Sequence, residues 1–311
     1  MRRKVVVAAE VGEEFFARIS GDERFEVVRR LAGSEDELAA AAADAVVLVT
    51  RSYNPVTAQV IAAAPHLEVI AQGTSGTDNI DRTAAAARGI AVVSLPGENA
   101  NAVAELVIGV ILSLTRTIPF YGREMAAGRW QRSDCATRHE MRHYRLGIVG
   151  LGQVGRRVSR LAGAFGMTVQ ASDPYLSDAD FAERGATSAG SLEDLLRSSD
   201  ILTLHVPLTE ETRGMIGSRE IGLLPQGAFL INTARGEVLD RAAALDALAT
   251  SHLSGLALDV YDPEPPAGSW PDDPRLITTP HIAGCTYECR TAIGARLYEQ
   301  IAAHYGTPVS S

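Results

Sequence analysis

The chain has 311 residues, of which 46% are hydrophobic and 22% charged, an ordinary composition for a folded protein that excludes a disordered chain. At roughly 150 residues per domain, this length predicts two domains. Acidic residues outnumber basic ones by 38 to 29, giving a net charge of -9, so no nucleic-acid partner is expected through a broad basic surface. No apolar run reaches the ~20 residues that span a bilayer, so no membrane partner is expected either.

The N-terminal segment MRRKVVVAAEVGEE combines basic residues with a short apolar run that turns acidic at Glu10. Because no cleavage-like site follows, we interpret it as a first strand and not as a signal peptide. The three cysteines, Cys135, Cys285 and Cys289, are too few for a disulfide framework and favour a reducing, cytoplasmic compartment. Two thiols alone make a weak metal site, so we interpret Cys285 and Cys289 as helix-packing residues and expect no metal.

Short apolar runs alternate with helical patterns along the first third of the chain. This alternation predicts parallel β-α-β units whose strands are covered on both faces. The predicted strands are Lys4–Ala9, Ala45–Thr50, Leu67–Gln72 and Ile90–Leu95. The predicted helices between them are Asp36–Ala43, Val56–Ala64 and Asp81–Ala87.

A long apolar helix is predicted from Asn99, a good N-cap residue, to Arg116, buried between domains or against another subunit. Thr117–Arg145 is predicted as helix and loop, and its part Thr137–Tyr144 has no predicted function. A second α/β series then begins. Its predicted elements are strand Arg145–Val149, helix Val154–Phe165, strand Thr168–Ser172, helix Leu192–Arg197, strands Ile201–His205 and Ala228–Thr233, helix Arg241–Leu248, strand Leu256–Asp259, loop Tyr261–Pro274, strand Leu276–Thr279 and helix Thr286–His304.

A glycine-rich turn joins the first strand of this second series to its helix. The segment GIVGLGQVG places Gly150, Gly152 and Gly155 in the spacing typical of dinucleotide-binding turns. The first glycine permits a tight turn, the second lets backbone approach a pyrophosphate, and the third lets helix pack on strand. Asp173 follows the next strand, where a carboxylate binds the adenosine ribose and repels a 2′-phosphate, favouring NAD over NADP. The turn alone also fits a purely structural connection or the cofactor site of a methyltransferase.

Three further segments place polar residues at predicted strand ends, the edge of a parallel sheet where ligands bind. Arg235 lies in INTARGEVLD, Glu264 in ALDVYDPEP and His281 in TPHIAGCT. Together with the glycine turn and the segment His205-Val-Pro, these motifs follow one order along essentially the whole chain. In this order the chain resembles the D-isomer-specific 2-hydroxyacid dehydrogenases, the family of phosphoglycerate, glycerate and D-lactate dehydrogenases.

The resemblance implies three catalytic residues. Arg235 matches the arginine whose guanidinium grips the carboxylate and carbonyl oxygen of a 2-oxo acid. His281 matches the acid/base histidine, which delivers a proton as hydride arrives. Glu264 matches the carboxylate that pairs with this histidine, favours imidazolium and fixes the ring tautomer.

The resemblance also implies the residues that bind cofactor and substrate, with Asp259 holding the nicotinamide carboxamide and Thr74, Ser75 and Gly76 cradling the substrate carboxylate. The implied cofactor contacts are Gly150, Gly152, Gln153, Val154, Gly155, Asp173, His205, Val206, Pro207, Thr233, Ala234, Arg235, Asp259, His281, Ala283 and Gly284. The implied substrate contacts are Arg51, Thr74, Ser75, Gly76, Arg235 and His281. Gln72 stands where phosphoglycerate-type members often carry arginine, which weakens the case for a phosphorylated substrate. With the chain ending at Ser311, no added regulatory domain is expected.

The predicted fold is α/β with two Rossmann-like domains whose cleft closes on NADH and substrate. Residues 1–98 and 281–311 form a flavodoxin-like substrate domain, and residues 99–280 form a doubly wound NAD-binding domain. The resemblance implies a homodimer that uses NAD to reduce a small anionic 2-oxo acid reversibly to the D-2-hydroxy acid, and a cytoplasmic location is expected. An NAD-binding sensor or corepressor and phosphite-type oxidation on the same scaffold remain alternatives. Formate oxidation is disfavoured, because formate enzymes of this type carry glutamine where Glu264 stands.

Overall fold

The computed structural model describes residues 2–132 and 138–306, so Cys135 and Thr137 lie outside the described residues. The chain folds into two compact units, the first formed by Met1–Asn99 and Cys285–Ser311 and the second by Ala100–Gly284. The predicted crossings, after residues 98 and 280, lie close to these. Residues 281–284 stay with the second unit because the backbone N–H groups of Ile282 and Ala283 bind the carboxylate of Asp259.

The first unit is built on a parallel sheet of five strands in the order β2-β1-β3-β4-β5, which is the flavodoxin order and confirms the predicted fold. Its strands are β1 (Arg3–Val7), β2 (Phe25–Arg29), β3 (Val47–Thr50), β4 (Val69–Gln72) and β5 (Ala91–Val93). Its helices are α1 (Glu13–Ser20), α2 (Glu35–Ala42), α3 (Ala58–Ala63), α4 (Arg82–Ala87) and the last helix of the chain, α12 (Tyr287–His304). Helix α12 packs closely on α1, where a Cβ at Gly294 would lie 2.8 Å from the backbone nitrogen of Phe15.

The second unit is built on a parallel sheet of seven strands in the order β12-β11-β10-β9-β6-β7-β8. This is the order of a dinucleotide-binding sheet with one strand added, and it reverses between β6 and β9. The strands are β6 (Arg145–Val149), β7 (Thr168–Ser172), β8 (Thr187–Ser188), β9 (Ile201–Leu204), β10 (Ala228–Asn232), β11 (Leu253–Leu258) and β12 (Leu276–Thr278). The helices are α5 (Ala100–Thr115), α6 (Ile118–Ala126), α7 (Gly155–Ala164), α8 (Asp178–Glu183), α9 (Leu192–Ser198), α10 (Ser218–Leu223) and α11 (Arg241–Ala249).

The long apolar helix α5 is buried inside the second unit. Val107 and Ile111 on α5 belong to one hydrophobic cluster with Ile148 of β6 and Val158 of α7. Its apolar composition is therefore explained by this core and does not by itself indicate a second subunit. Among the described residues, no single helix is long and apolar enough to cross a membrane, although α5 and α6, bent by 64°, pass that test as a pair.

Candidate active site

The glycine turn occupies the point where the strand order of the second unit reverses. Gly150 has a φ of 87°, and a Cβ there would lie 2.9 Å from the carbonyl oxygen of His205, which follows β9. A Cβ at Gly155 would lie 2.2 Å from the carbonyl oxygen of Gly150, so α7 packs on the turn only through glycine. Gly152, in contrast, faces open space within the described part of the chain. The turn is thus tightly packed on one side and open on the other.

Two polar groups border this turn. The carboxylate of Asp173 accepts hydrogen bonds from the backbone N–H groups of Leu151 at 3.0 Å and Tyr175 at 3.1 Å, which fixes it beside the turn. The hydroxyl of Thr233, just after β10, is buried and has no hydrogen-bond partner in the described residues. An open glycine, an oriented carboxylate and an unpaired hydroxyl at one sheet edge fit the dinucleotide that the sequence predicts.

His205 lies next to the glycine turn and is partly exposed as a residue. Its Nε2 is 3.0 Å from the hydroxyl of Thr203. Burial of the ring lowers the pKa of His205 to about 3, so the imidazole is neutral at physiological pH. It therefore brings no positive charge to this edge of the sheet.

Arg235 stands on a rigid turn after β10. The buried amide of Asn232 accepts a hydrogen bond from the Ala234 N–H at 3.0 Å and donates one to the Arg235 carbonyl at 2.8 Å. A Cβ at Gly236 would lie 2.1 Å from the carbonyl carbon of Tyr261, so this turn contacts the segment after β11 directly. The residues flanking Arg235 thus fix its backbone from both sides.

His281 and Glu264 form a pair, with Nδ1 of the imidazole 2.7 Å from Oε2 of the carboxylate. A carboxylate only accepts hydrogen bonds, so Nδ1 donates and the tautomer is fixed. The side chains are 39% and 37% exposed, respectively, so solvent reaches both. Burial raises the pKa of Glu264, but hydrogen bonds from His281 and the Tyr261 N–H, with the nearby charges of His281 and Arg235, outweigh it and lower the pKa below its ordinary value. Glu264 is therefore an anion across the physiological range.

Asp259 is 2% exposed and organises the loop that carries His281. Its carboxylate accepts the hydroxyl of Thr279 at 2.6 Å and the backbone N–H groups of Ile282 at 2.8 Å and Ala283 at 2.9 Å. Three donors satisfy a buried charge that would otherwise be costly. This structural role adds to the predicted contact with nicotinamide, and no local sequence pattern indicates it.

The predicted anion loop lies in the first unit and is held by Gln72. The Gln72 side chain is fully buried, accepts the hydroxyl of Thr50 at 2.7 Å, and donates to Asn79 Oδ1 at 2.8 Å and the Gly76 carbonyl at 3.2 Å. Asn79 in turn donates to the Arg51 carbonyl at 3.1 Å. One amide network therefore positions both the loop and Arg51, and Gln72 itself offers no group to a ligand.

Arg51, Thr74 and Ser75 are all partly exposed. The Nε atom of Arg51 is buried and, among the described residues, has no hydrogen-bond partner. The hydroxyl of Ser75 donates to the Leu95 carbonyl at 3.1 Å, and that of Thr74 donates to the Gly76 carbonyl at 3.2 Å. Their hydroxyls thus hold the loop together, which leaves backbone N–H groups as the donors for an anion.

The two described cysteines have different environments. Cys289 is buried in α12, and burial raises the pKa of its thiol, as expected for a packing residue. Cys285 is exposed and precedes the helix, so its interpretation as a packing residue is wrong. Within residues 2–132 and 138–306, no group of three or more His, Cys, Asp or Glu side chains is placed to hold a metal ion.

These features define an α/β protein with a dinucleotide-binding unit and an arginine, a histidine and a carboxylate at its strand ends. Residues 108–283 match the family model described as D-isomer specific 2-hydroxyacid dehydrogenase, NAD binding domain. The chain belongs to the D-isomer-specific 2-hydroxyacid dehydrogenase family, which confirms the resemblance found in the sequence.

Individual relatives agree with this assignment. The chain is 38% identical over 305 residues to D-3-phosphoglycerate dehydrogenase of Archaeoglobus fulgidus, with 96% of this chain and 56% of that protein covered. It is 34% identical over 275 residues to hydroxypyruvate reductase of Thermotoga maritima, with 86% and 87% covered. The structure matches D-lactate dehydrogenase of Aquifex aeolicus, solved with NAD and lactic acid, with a TM-score of 0.84, 27% identity, and 97% and 95% covered. The chain spans about half the length of the first curated relatives.

Proposed function

We propose that this chain is an NAD-dependent dehydrogenase that reversibly reduces a small 2-oxo acid to the D-2-hydroxy acid. The observation that carries the proposal is the His281–Glu264 pair, joined at 2.7 Å, in the same unit as Arg235. Arg235 lies after β10, Glu264 after β11 and His281 after β12, three adjacent strands of one parallel sheet. Strand ends of this kind are where α/β proteins bind ligands.

The proposed chemistry divides between these residues. The Arg235 guanidinium binds the substrate carboxylate and carbonyl oxygen, which orients the substrate and polarises the carbonyl. His281 donates a proton to that oxygen during reduction and removes it during oxidation. Glu264 accepts a hydrogen bond from Nδ1, so the opposite ring nitrogen, Nε2, exchanges the proton with the substrate. The negative charge of Glu264 stabilises the imidazolium.

NAD supplies the hydride chemistry when it is bound. We propose that the glycine turn binds its pyrophosphate, Asp173 its adenosine ribose, and Thr233 and Asp259 the nicotinamide half. The open face of Gly152 and the unpaired Thr233 hydroxyl support this assignment. The remaining residues implied by the resemblance, proposed as further cofactor contacts, are Gln153, Val154, His205, Val206, Pro207, Ala234, Ala283 and Gly284.

We further propose that backbone N–H groups of Thr74, Ser75 and Gly76 bind the substrate carboxylate, with Arg51 binding a second anionic or polar group. Small residues leave such N–H groups accessible to an anion. Gln72 contributes no charge here, which favours an unphosphorylated substrate such as glyoxylate or hydroxypyruvate.

The test is a panel of 2-oxo acids containing glyoxylate, hydroxypyruvate, pyruvate and 3-phosphohydroxypyruvate. Oxidation of NADH and of NADPH is followed by absorbance, and the product is analysed for D configuration. We expect turnover with NADH and at least one unphosphorylated acid. NADH binding without turnover of any acid would favour a sensor, and NAD reduction by phosphite alone would favour phosphite oxidation.

The cofactor preference is tested by Asp173→Asn. The asparagine oxygen still accepts the Leu151 N–H, but the charge that repels a 2′-phosphate is removed. We expect the ratio of kcat/KM for NADH to that for NADPH to fall by roughly 10-fold or more, the scale of one charge-assisted contact. Steady-state kinetics with both cofactors measures this ratio, and Asp194→Asn, at the N-terminus of α9, is the control. An unchanged ratio would refute the role of Asp173 in selectivity.

The proton-transfer assignment is tested by the pH dependence of Glu264→Gln. Because its pKa is lowered, the wild-type carboxylate stays charged above the ordinary glutamic acid pKa of about 4.3 and stabilises protonated His281. Glutamine removes that charge, and with it the attraction that favours a positively charged partner. The alkaline limb of kcat/KM for reduction is therefore expected to move to lower pH. A variant whose limb stays in place would show that Glu264 does not control this proton.

We also propose that the protein is a cytoplasmic homodimer. Three large apolar side chains in and after α6 are exposed, with Ile118 and Met125 each 55% and Trp130 77% accessible. Met125 and Trp130 line one pocket, and exposed apolar side chains that lie together are typical of an association surface. Light scattering of the wild type and of Trp130→Glu tests the dimer, and a monomeric wild type would refute it.

A further inference from the structure

Tyr261 contacts the ends of two neighbouring strands close to the proposed proton-transfer pair. It is 7% exposed, and its ring centroid is 5.2 Å from that of Trp270. Its hydroxyl lies 2.9 Å from the carbonyl oxygen of Leu258, the last residue of β11, and 2.7 Å from that of Thr279, just after β12. Burial and the nearby charge of Asp259 raise the pKa of Tyr261 to about 12, so the hydroxyl stays protonated and donates.

The Thr279 carbonyl also accepts the backbone N–H of His281, at 3.0 Å. A carbonyl oxygen has two lone pairs, so it can accept from both residues. His281 adopts a φ of 52°, in the left-handed region that side chains other than glycine rarely adopt. Such a conformation persists only where surrounding bonds determine it. The tyrosine hydroxyl therefore binds the same Thr279 carbonyl that accepts the hydrogen bond from the His281 backbone.

Tyr261 also contacts the segments that carry the other two residues. Its backbone N–H donates to Oε1 of Glu264 at 2.9 Å, which leaves Oε2 for the imidazole. Its carbonyl carbon packs so closely against Gly236 that an added Cβ would lie only 2.1 Å away. One buried residue therefore touches the segments bearing Arg235, Glu264 and His281.

We propose that Tyr261 is a positioning residue whose hydroxyl sets the orientation of His281 relative to Glu264. The inference rests on the proposed function, because orientation matters only if His281 transfers a proton. Phenylalanine would fill the same space as the tyrosine ring. Tyr261→Phe therefore removes only the hydroxyl and its contacts with the two carbonyl groups. Loss of the hydroxyl releases the Thr279 carbonyl and loosens the loop that carries the imidazole.

The test compares Tyr261→Phe with Tyr144→Phe. Tyr144 is a matched control, since it is 9% exposed, packs edge-on against Phe229, and immediately precedes β6, at the opposite end of that strand from the glycine turn. For Tyr261→Phe, kcat is expected to fall by roughly 10-fold, the scale of one lost hydrogen bond. KM values are expected to change less than about 2-fold, because Arg235 and the glycine turn are retained. The alkaline limb of kcat/KM should move to lower pH, as for Glu264→Gln. Tyr144→Phe should change neither kcat nor the position of this limb.

Thermal unfolding and a histidine spectrum complete the test. A purely structural role would lower the melting temperature of both variants and leave kcat and the pH profile of Tyr261→Phe at wild-type values, which would overturn the proposal. The NMR resonances of the His281 imidazole, assigned by their loss in His281→Asn, should shift in Tyr261→Phe and not in Tyr144→Phe. If the wild type reduces no 2-oxo acid, the proposed function fails, and a His281 resonance unmoved in Tyr261→Phe would separately refute the positioning role.

Discussion

Replacing His281 with alanine is expected to lower kcat for 2-oxo acid reduction by roughly 10²- to 10⁴-fold, the usual contribution of a positioned general acid. Methyl cannot donate the proton that the carbonyl oxygen needs as hydride arrives, so water must supply it. NADH affinity should stay nearly unchanged, because the glycine turn and Asp173 are untouched. Single-turnover kinetics and NADH fluorescence titration measure the two quantities separately.

The left-handed backbone of His281 requires a second variant. Alanine is disfavoured at a φ of 52°, so part of its effect could come from a displaced loop. Asparagine tolerates this region and has no titratable group, so His281→Asn isolates the proton transfer. His66→Ala, on the exposed surface of the first unit, is the control and should retain wild-type kinetics. Normal turnover in His281→Asn would refute the acid/base role.

Sequence pattern predicted the strands that are covered on both faces. β3 and β9 are buried at every residue and appear in the sequence as continuous apolar runs. The edge strands β2 and β8 were not predicted, because β2 has a single buried residue, Phe25, and both residues of β8 are exposed. Helices α1, α8 and α10 were missed as well; each is short and buries only one or two side chains.

The same limit applies to the site. Spacing along the chain indicates the glycine turn, and the resemblance of local motifs to those of a known family is enough to propose Arg235, Glu264 and His281. The network around them is not local. Asp259 binds the backbone of residues 282 and 283, and Tyr261 binds the Thr279 carbonyl, so both roles depend on β11 and β12 lying side by side. These contacts depend on which strands pair in the folded sheet, and local patterns in a single sequence do not reveal that pairing.

Gly236→Ala is expected to have a comparably large effect through packing alone. The added Cβ would lie 2.1 Å from the carbonyl carbon of Tyr261, 2.3 Å from its oxygen and 2.6 Å from the Asp262 nitrogen. All three are backbone atoms, so the contact is relieved only by moving one segment away from the other. That movement displaces Arg235 on one side and the Glu264–His281 pair on the other.

We therefore expect Gly236→Ala to lower kcat/KM by roughly 10²-fold or more, the scale of a misplacement of about 1 Å in a reacting site. Overpacking should also cost about 1–3 kcal/mol in the free energy of unfolding. Gly163→Ala in α7 is the matched control, because its added Cβ would meet no described atom within 4 Å beyond its chain neighbours and its own helix backbone, and alanine favours the helix by about 0.5–1 kcal/mol. Chemical denaturation and steady-state kinetics on both variants separate the effects. Gly236→Ala with wild-type kcat/KM would show that the two segments move independently, and that close packing between them does not position Arg235 against His281.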